Sequence, residues 1–234
     1  MARFFWILLL FLATATPTLA QFGLSGHYLH YAHDEFALLP DETLEGPVVQ
    51  LPGSGWSAGL NYWFRLRNLR IEFIPEVSYG QTQQILPDNN TFDAQWLAFT
   101  VHTQFYLLDL FSDCDCPTFS KQNDLFQRGF FLSLSPGLTY ATFDTGSQLI
   151  GPLDRSQTGL VPHLGAGIGM DIGLNDFITL TPYAGARYLF SFDGPRQINY
   201  AADAARPLYH LQASDINLWQ LQAGLRFSLR FDYR

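Results

Sequence analysis

Beyond residue 20, apolar and polar residues alternate along most of the chain, and helical spacing is almost absent. Alternation with a period of two marks strands whose two faces meet different surroundings. From Trp56 every second residue is apolar or small, through Ala58, Leu60, Tyr62, Phe64 and Leu66, with Ser57, Gly59, Asn61 and Arg65 between them. Leu69, Ile71, Phe73, Val77 and Tyr79 continue the pattern against Arg70, Glu72, Glu76 and Ser78. Only Arg67 and Asn68 separate the two runs, which predicts a tight hairpin. The same reading sets Leu97, Phe99, Val101, Phe105 and Leu107 against Thr100, His102 and Gln104, and Phe130, Leu132, Leu134, Leu138 and Tyr140 against Ser133, Ser135 and Thr139. Two further strands flank a turn at Asn175 and Asp176: Leu164 to Ile172 with His163, Gly165, Gly167, Gly169 and Asp171 opposite, and Ile178 to Tyr188 with Thr179, Thr181, Gly185 and Arg187 opposite. The last strand alternates from Trp219 to Tyr233, and a weaker first one runs from about Phe22 to Tyr31, which makes eight.

Charge decides which face is which. Arg or Lys at a bilayer midplane costs roughly 2 to 4 kcal/mol, whereas a polar lumen tolerates it. Every in-strand Arg and Glu named above lies on the less apolar face, so the pattern predicts an apolar outside and a polar inside. A soluble sandwich also alternates, and connection lengths and aromatic positions separate the two. Long connections are expected near 34–54, 81–93, 144–158 and 191–214, and short turns at 67–68 and 175–176, as a barrel with long outer loops requires. The segment from Asp109 to Gln127 is the exception. Trp56, Tyr79, Tyr140, Tyr188 and Trp219 fall at one expected rim, with Phe64, Phe105, Phe130, Phe231 and Tyr233 toward the other, as in interfacial belts. Pro75, Pro136, Pro162 and Pro182 lie inside strands, where a closed barrel has no free edge for them, so bulges are expected there. Pro followed by Tyr four or six residues later recurs at Pro75, Pro136 and Pro182 and hints at a weak hairpin repeat.

Composition narrows the class. With 47% hydrophobic and 16% aromatic residues but only 15% charged, the 234-residue chain is too apolar for disorder and ill suited to a fully water-facing surface. Thirteen Lys and Arg against 21 Asp and Glu give a net charge of -8, which argues against a nucleic-acid partner. Arg3, the apolar run Phe4 to Ala13 and the closing Thr18-Leu19-Ala20 read as a signal peptide over residues 1–20, leaving a barrel domain over 21–234. Its apolar run of about ten residues falls short of the ~20 that a spanning helix needs. No Cys follows the expected cut, which argues against a lipoprotein. Export without a helical span leaves a secreted soluble protein or an outer-membrane barrel.

On its strand count, on Thr181-Pro182-Tyr183-Ala184-Gly185-Ala186-Arg187-Tyr188 and on a terminal strand ending Phe231-Asp232-Tyr233-Arg234, the mature chain resembles the small eight-stranded outer-membrane barrels typified by the OmpA transmembrane domain and OmpX. The resemblance implies an all-β, antiparallel, up-and-down transmembrane β-barrel. It also implies contact with membrane lipid and lipopolysaccharide, and insertion by the barrel assembly machinery. That machinery recognises a terminal aromatic; here Tyr233 is penultimate and Arg234 last. Members of this broad group serve as envelope-integrity proteins, adhesins, complex subunits or lipid-modifying enzymes, so fold does not settle role.

Candidate chemistry is sparse. Gly165, Gly167 and Gly169 superficially match a dinucleotide loop, but that motif needs a strand, a turn and a helix; inside one strand they read as room for large lumen neighbours. Cys114 and Cys116 flank Asp115 in the segment expected on the periplasmic side. A disulfide at that spacing would close a strained ring, Asp113 to Cys116 could ligate a metal, and a structural turn is the plainer alternative. His27, His30, His33, His102, His163 and His210 are scattered, with no Ser at a spacing that would mark a nucleophile and its base. Inward Arg65, Arg70, Glu72, Glu76, Asp171, Arg187, Arg226 and Arg230 predict a closed, salt-bridged core, since an eight-stranded interior is just wide enough for side chains to fill it. Asp34, Glu35, Asp41, Glu42 and Glu45 make the first long loop acidic, a solvated surface or a place for divalent cations shared with lipopolysaccharide. The expectation is a non-enzymatic barrel with no catalytic, cofactor-binding or metal residues, acting through its outer loops and periplasmic segment, with an envelope protein as a possible partner. A lipid-A-modifying hydrolase and a narrow channel are the alternatives.

Overall fold

Residues that alternate in sequence pair into one continuous ladder in the computed structural model, which describes residues 21–32, 37–40, 49–65, 71–85, 91–107, 129–145, 156–174, 178–193, 197–201, 208–212 and 215–229. The strands are β1 (Phe22–Ala32), β2 (Ala37–Pro40), β3 (Val49–Gln50), β4 (Ser54–Tyr62), β5 (Phe64–Arg65), β6 (Ile71–Ile85), β7 (Thr91–Phe105), β8 (Phe130–Thr145), β9 (Ser156–Met170), β10 (Ile172–Gly173), β11 (Ile178–Asp193), β12 (Gln197–Ala201), β13 (Leu208–Gln212) and β14 (Asp215–Leu229). Eight of them, β1, β4, β6, β7, β8, β9, β11 and β14, each pair antiparallel with the next, and β14 returns to β1. The sheet closes on itself, so it has no edge to satisfy in a medium without water. No helix among the described residues is long and apolar enough to cross a membrane.

Inward and outward positions follow the sequence parity. On β7, Phe92, Ala94, Trp96, Ala98, Thr100, His102 and Gln104 are buried while Leu97 and Phe99 are exposed. Leu24, Tyr28, Leu60, Leu160 and Leu225 continue the outer apolar face around the wall, each more than half exposed. The outer aromatics gather into two rings. Trp56 packs edge-on against Tyr79 with centroids 6.2 Å apart, and Tyr188 lies 4.9 Å from Trp219. Toward the other rim, Phe22 meets Tyr62 at 5.5 Å and Phe64 stacks on Phe73 at 5.3 Å.

The strands run further than the apolar pattern. A tilted strand needs about 9–11 residues to cross hydrocarbon, and β6 and β7 each have 15. Their far ends carry outward Gln81, Gln83 and Gln95, so the ladder continues where the wall has left the apolar layer. The connection expected over 81–93 is therefore mostly strand. Those expected over 34–54 and 191–214 contain β2, β3, β12 and β13, which form a second sheet in the order β12-β13-β2-β3. The turns at 67–68 and 175–176, the segment 109–127 with Cys114 and Cys116, residues 1–20, Arg70, Arg230, the residues after Leu229 and the acidic residues of the first loop lie outside the described residues.

The prolines do not make bulges. Pro75 stays in register with Val101, Pro136 with Leu164, Pro162 with Leu138 and Pro182 with Leu225; the register shift falls between Leu189 and Phe192 instead. Each proline interrupts the ladder on its other flank. The β4–β6 ladder stops at Glu76 beside Pro75 and resumes with β5 at Phe73. The β7–β8 ladder skips from Thr100 to Thr103 across from Pro136, and the β9–β11 ladder is confined to Tyr183–Leu189 between Pro182 and Pro162. A backbone N–H points toward only one neighbouring strand, so its loss opens a gap on one side and leaves the other side's register intact.

Candidate functional site

The interior is the one place where inward polar side chains converge from all eight wall strands, and it divides into three levels. At the end that holds the start of β1, Glu72 accepts hydrogen bonds from Trp63 Nε1 and is 2.8 Å from the Tyr106 hydroxyl. The same hydroxyl lies 2.5 Å from Asp171, to which Thr181 also donates. Tyr106 packs against Phe131 with centroids 5.6 Å apart, and both are fully buried. This floor joins β6, β8 and β11 to residues just outside β4, β7 and β9. Tyr106→Phe is expected to lower stability by about 1–3 kcal/mol, because it leaves buried carboxyl oxygens short of a donor; urea unfolding of the refolded barrel in lipid vesicles measures it.

At the middle level, Ser25 donates to Glu76 at 2.7 Å, and Glu76 lies 3.8 Å from His102 Nε2. His102 Nδ1 and the Ser135 hydroxyl are 2.9 Å apart. Tyr183 stands between His27 and His102, with both centroid distances 5.9 Å, and receives a hydrogen bond from Gln222 at 2.9 Å. Its ring occupies space left by glycine: a Cβ on Gly167 would lie 2.7 Å from it, and one on Gly185 2.8 Å from its hydroxyl. Gly169 does the same for Phe131, so Gly167 and Gly169 make room for large lumen neighbours, whereas a Cβ on Gly165 would meet the Ala186 carbonyl at 3.2 Å and no aromatic ring. His163 bridges Thr100 and Thr139 at 3.1 and 2.9 Å.

At the outer level the lumen turns apolar. Leu29, Phe92, Ala94, Trp96, Ala141, Phe143, Val161, Leu189 and Leu218 are all buried there, so the interior is not polar throughout as the alternation predicts. Near this outer end the wall extends beyond the hydrocarbon, and an inward apolar side chain packs without breaking the outward pattern.

Of the charges expected to pair inside, Arg70 and Arg230 lie outside the described residues. Among the described residues the ion-pair contact within 4.0 Å is His102 with Glu76. Arg187 reaches only the Thr100 hydroxyl, at 3.5 Å, and Arg226 keeps Nε and Nη2 without a hydrogen-bond partner. Arg226 stands across from Ser25 on β1 and Thr181 on β11, the two residues whose hydroxyls donate to Glu76 and Asp171, so inward charges of both signs share the lower half of the lumen.

Ser135, His102 and Glu76 stand in the order of a hydrolytic triad, although the three are separated in sequence by 33 and 26 positions. All three are at most 1% exposed, so this is an interior hydrogen-bond network. On the outer rim, His30 Nδ1 lies 3.0 Å from the Ser54 hydroxyl in an exposed setting. His33 lies outside the described residues, and His210 lies in the outer strand β13. No group of three metal-ligating side chains occurs among the described residues.

No family model matches the chain, and no curated protein matches it. Solved structures similar to it include Neisserial surface protein A, at 13% identity over 90% of this chain and 97% of that one, with a TM-score of 0.42. Ail, the attachment invasion locus protein of Yersinia pestis, is 11% identical over 92% of this chain and all of the other, with a TM-score of 0.43. The outer membrane protein OprG from Pseudomonas aeruginosa is 16% identical over 92% and 97%, with a TM-score of 0.42. A ladder without edges inside an apolar girdle is a wall built for lipid, and on that ground the chain is an eight-stranded antiparallel β-barrel of the outer membrane.

Proposed function

We propose that the chain is a non-enzymatic protein of the cell envelope, exported with cleavage after Ala20, that acts as a structural or interaction module. Its working surfaces are the outer strands β2, β3, β12 and β13 and the periplasmic segment around Cys114 and Cys116. The observation that carries this reading is the occupied lumen. From Glu72 through His102 and Tyr183 to Trp96, inward side chains are buried against one another, which leaves the ends as the surfaces that meet partners. Membrane lipid and lipopolysaccharide surround the wall, the barrel assembly machinery inserts it, and an envelope protein is the partner expected at one end. The test is cell fractionation, gel migration with and without boiling, and conductance in planar bilayers. Recovery in outer membranes, faster migration unboiled and no stable current are expected. Stable single-channel steps would replace this reading with that of a narrow channel.

The exposed His30 and Ser54 pair favours a second reading, a hydrolase acting on lipid A at the outer leaflet. Release of acyl chains from lipopolysaccharide by the purified barrel, lost in Ser54→Ala, would establish it.

A further inference from the structure

The floor of the lumen brings together more oxygens than hydrogens. The Tyr106 hydroxyl lies 2.8 Å from Glu72 Oε2 and 2.5 Å from Asp171 Oδ2, and a phenol has a single hydrogen to place on one of these two lines. An ionised carboxylate only accepts. With both acids charged, one of the two contacts would press oxygen against oxygen with nothing between them, so the pair must hold a proton of its own.

The other donors at the floor show which acid holds it. Glu72 Oε2 accepts from Trp63 Nε1 and faces Tyr106 with the same atom, the part of an oxygen that accepts twice. At Asp171 the Thr181 hydroxyl donates to Oδ1, which leaves Oδ2 to carry a hydrogen toward Tyr106. Charged and polar neighbours do not alter this count. Arg226 on β14 stands across from Thr181, Arg65 on β5 stands across from Glu72, and Glu76 with His102 forms the next level of the lumen. Arg70 and Arg230 lie outside the described residues. A guanidinium, wherever it stands, balances charge but puts no hydrogen between Tyr106 and a carboxyl oxygen. Gln104 on β7, 3.3 Å from the same hydroxyl, meets it with an amide and adds none on either line, and Phe131 on β8 is uncharged.

We propose that the floor is a pH-sensitive clasp, in which Asp171 keeps a proton and donates it to Tyr106 while Tyr106 donates to Glu72. The chain of bonds ties the residues just beyond β7 and β9 to β6, and through Thr181 and Trp63 to β11 and the link between β4 and β5. When the proton leaves, two carboxylates compete for one phenolic hydrogen and repel each other across it. The clasp then loosens. Because the folded chain holds a proton that the unfolded chain has released, the stability it contributes is complete below the ordinary aspartate range and is lost as the pH rises to the point where folded Asp171 ionises.

The test compares the unaltered chain with Asp171→Asn, both refolded in phosphatidylcholine vesicles. Infrared difference spectra at neutral pH read the carbonyl stretch of a protonated carboxyl, and urea unfolding reads stability upward from about pH 5, above the ordinary aspartate value of about 3.9. The stretch is expected in the unaltered chain and absent from the variant, whose amide supplies the hydrogen permanently. The unfolding constant of the unaltered chain, relative to that of the variant, is expected to rise about tenfold per pH unit while only folded Asp171 keeps its proton. Glu76 and the interior histidines are common to both proteins and cancel in that ratio. A missing band in the unaltered chain, or parallel pH profiles, overturns the proposal. Glu72→Gln still accepts from Trp63 and Tyr106 and is expected to keep the band; its loss there puts the proton on Glu72 and overturns the assignment. Should Asp171→Asn fail to give the fast-migrating unboiled form, the unaltered chain labelled with carboxyl-carbon-13 aspartate decides the matter. A band displaced by the label supports Asp171 as the holder, and an undisplaced one sinks the proposal.

Discussion

Leu225→Arg is expected to cost the barrel about 2–4 kcal/mol of folding stability in lipid vesicles. Leu225 is 54% exposed on the outer face of β14, and its partners across the two neighbouring ladders are Gly26 and Pro182. It stands midway between the aromatic rings that contain Trp219 and Phe22. At that depth a guanidinium has neither water nor a counter-charge, and it must bend toward an interface or distort the bilayer. Gln81→Arg is the control. Gln81 also faces outward, but on the part of β6 that extends past the apolar layer, so its replacement is expected to change stability by no more than about 0.5 kcal/mol. Urea titrations of the two variants, followed by tryptophan fluorescence, separate a lipid-facing wall from a soluble one. Equal, small losses at both positions would mean that water reaches Leu225.

Phe131→Ala is expected to cost about 3–5 kcal/mol, the range for deleting a buried aromatic side chain. Phe131 is fully buried, packs against Tyr106 and fills the space above Gly169, where a Cβ would come within 2.3 Å of the ring. Gly169→Ala is destabilising for the opposite reason, overpacking. Combining it with Phe131→Leu shortens the side chain that the new methyl strikes, so the double variant is expected to be more stable than the sum of the single losses predicts. Strict additivity in the same urea titrations would show that the two positions do not share one space.

How much of this was legible beforehand follows from what each signal costs to violate. The inward or outward assignment of Glu72, Glu76, Arg187 and Arg226 was readable because a charge in hydrocarbon is expensive, and the structure buries all four inside. The closure of eight strands followed from the same alternation. The lumen network was not readable. Glu76, His102 and Ser135 lie on the consecutive wall strands β6, β7 and β8, and they meet only through strand register, which leaves no mark in local spacing. The run Phe92 to Phe99 hid the apolar outer level of the lumen for a related reason. Apolar residues fall at both parities there, and alternation alone assigns Phe92, Ala94 and Trp96 no function. The prolines were seen, but their effect was misjudged. A missing N–H breaks one ladder, and the intact pairing on the other flank is enough to hold the register.

Those one-sided gaps make the wall's seams unequal. The seam that joins the first and last strands, β1 and β14, has eleven paired positions, whereas β4 and β6 share seven, ending beside Pro75, and β9 and β11 share seven, bracketed by Pro162 and Pro182. The weaker joints are thus internal to the chain and away from its termini. A barrel strained from within or pulled by a partner would open at one of these two internal joints while its ends stayed fastened.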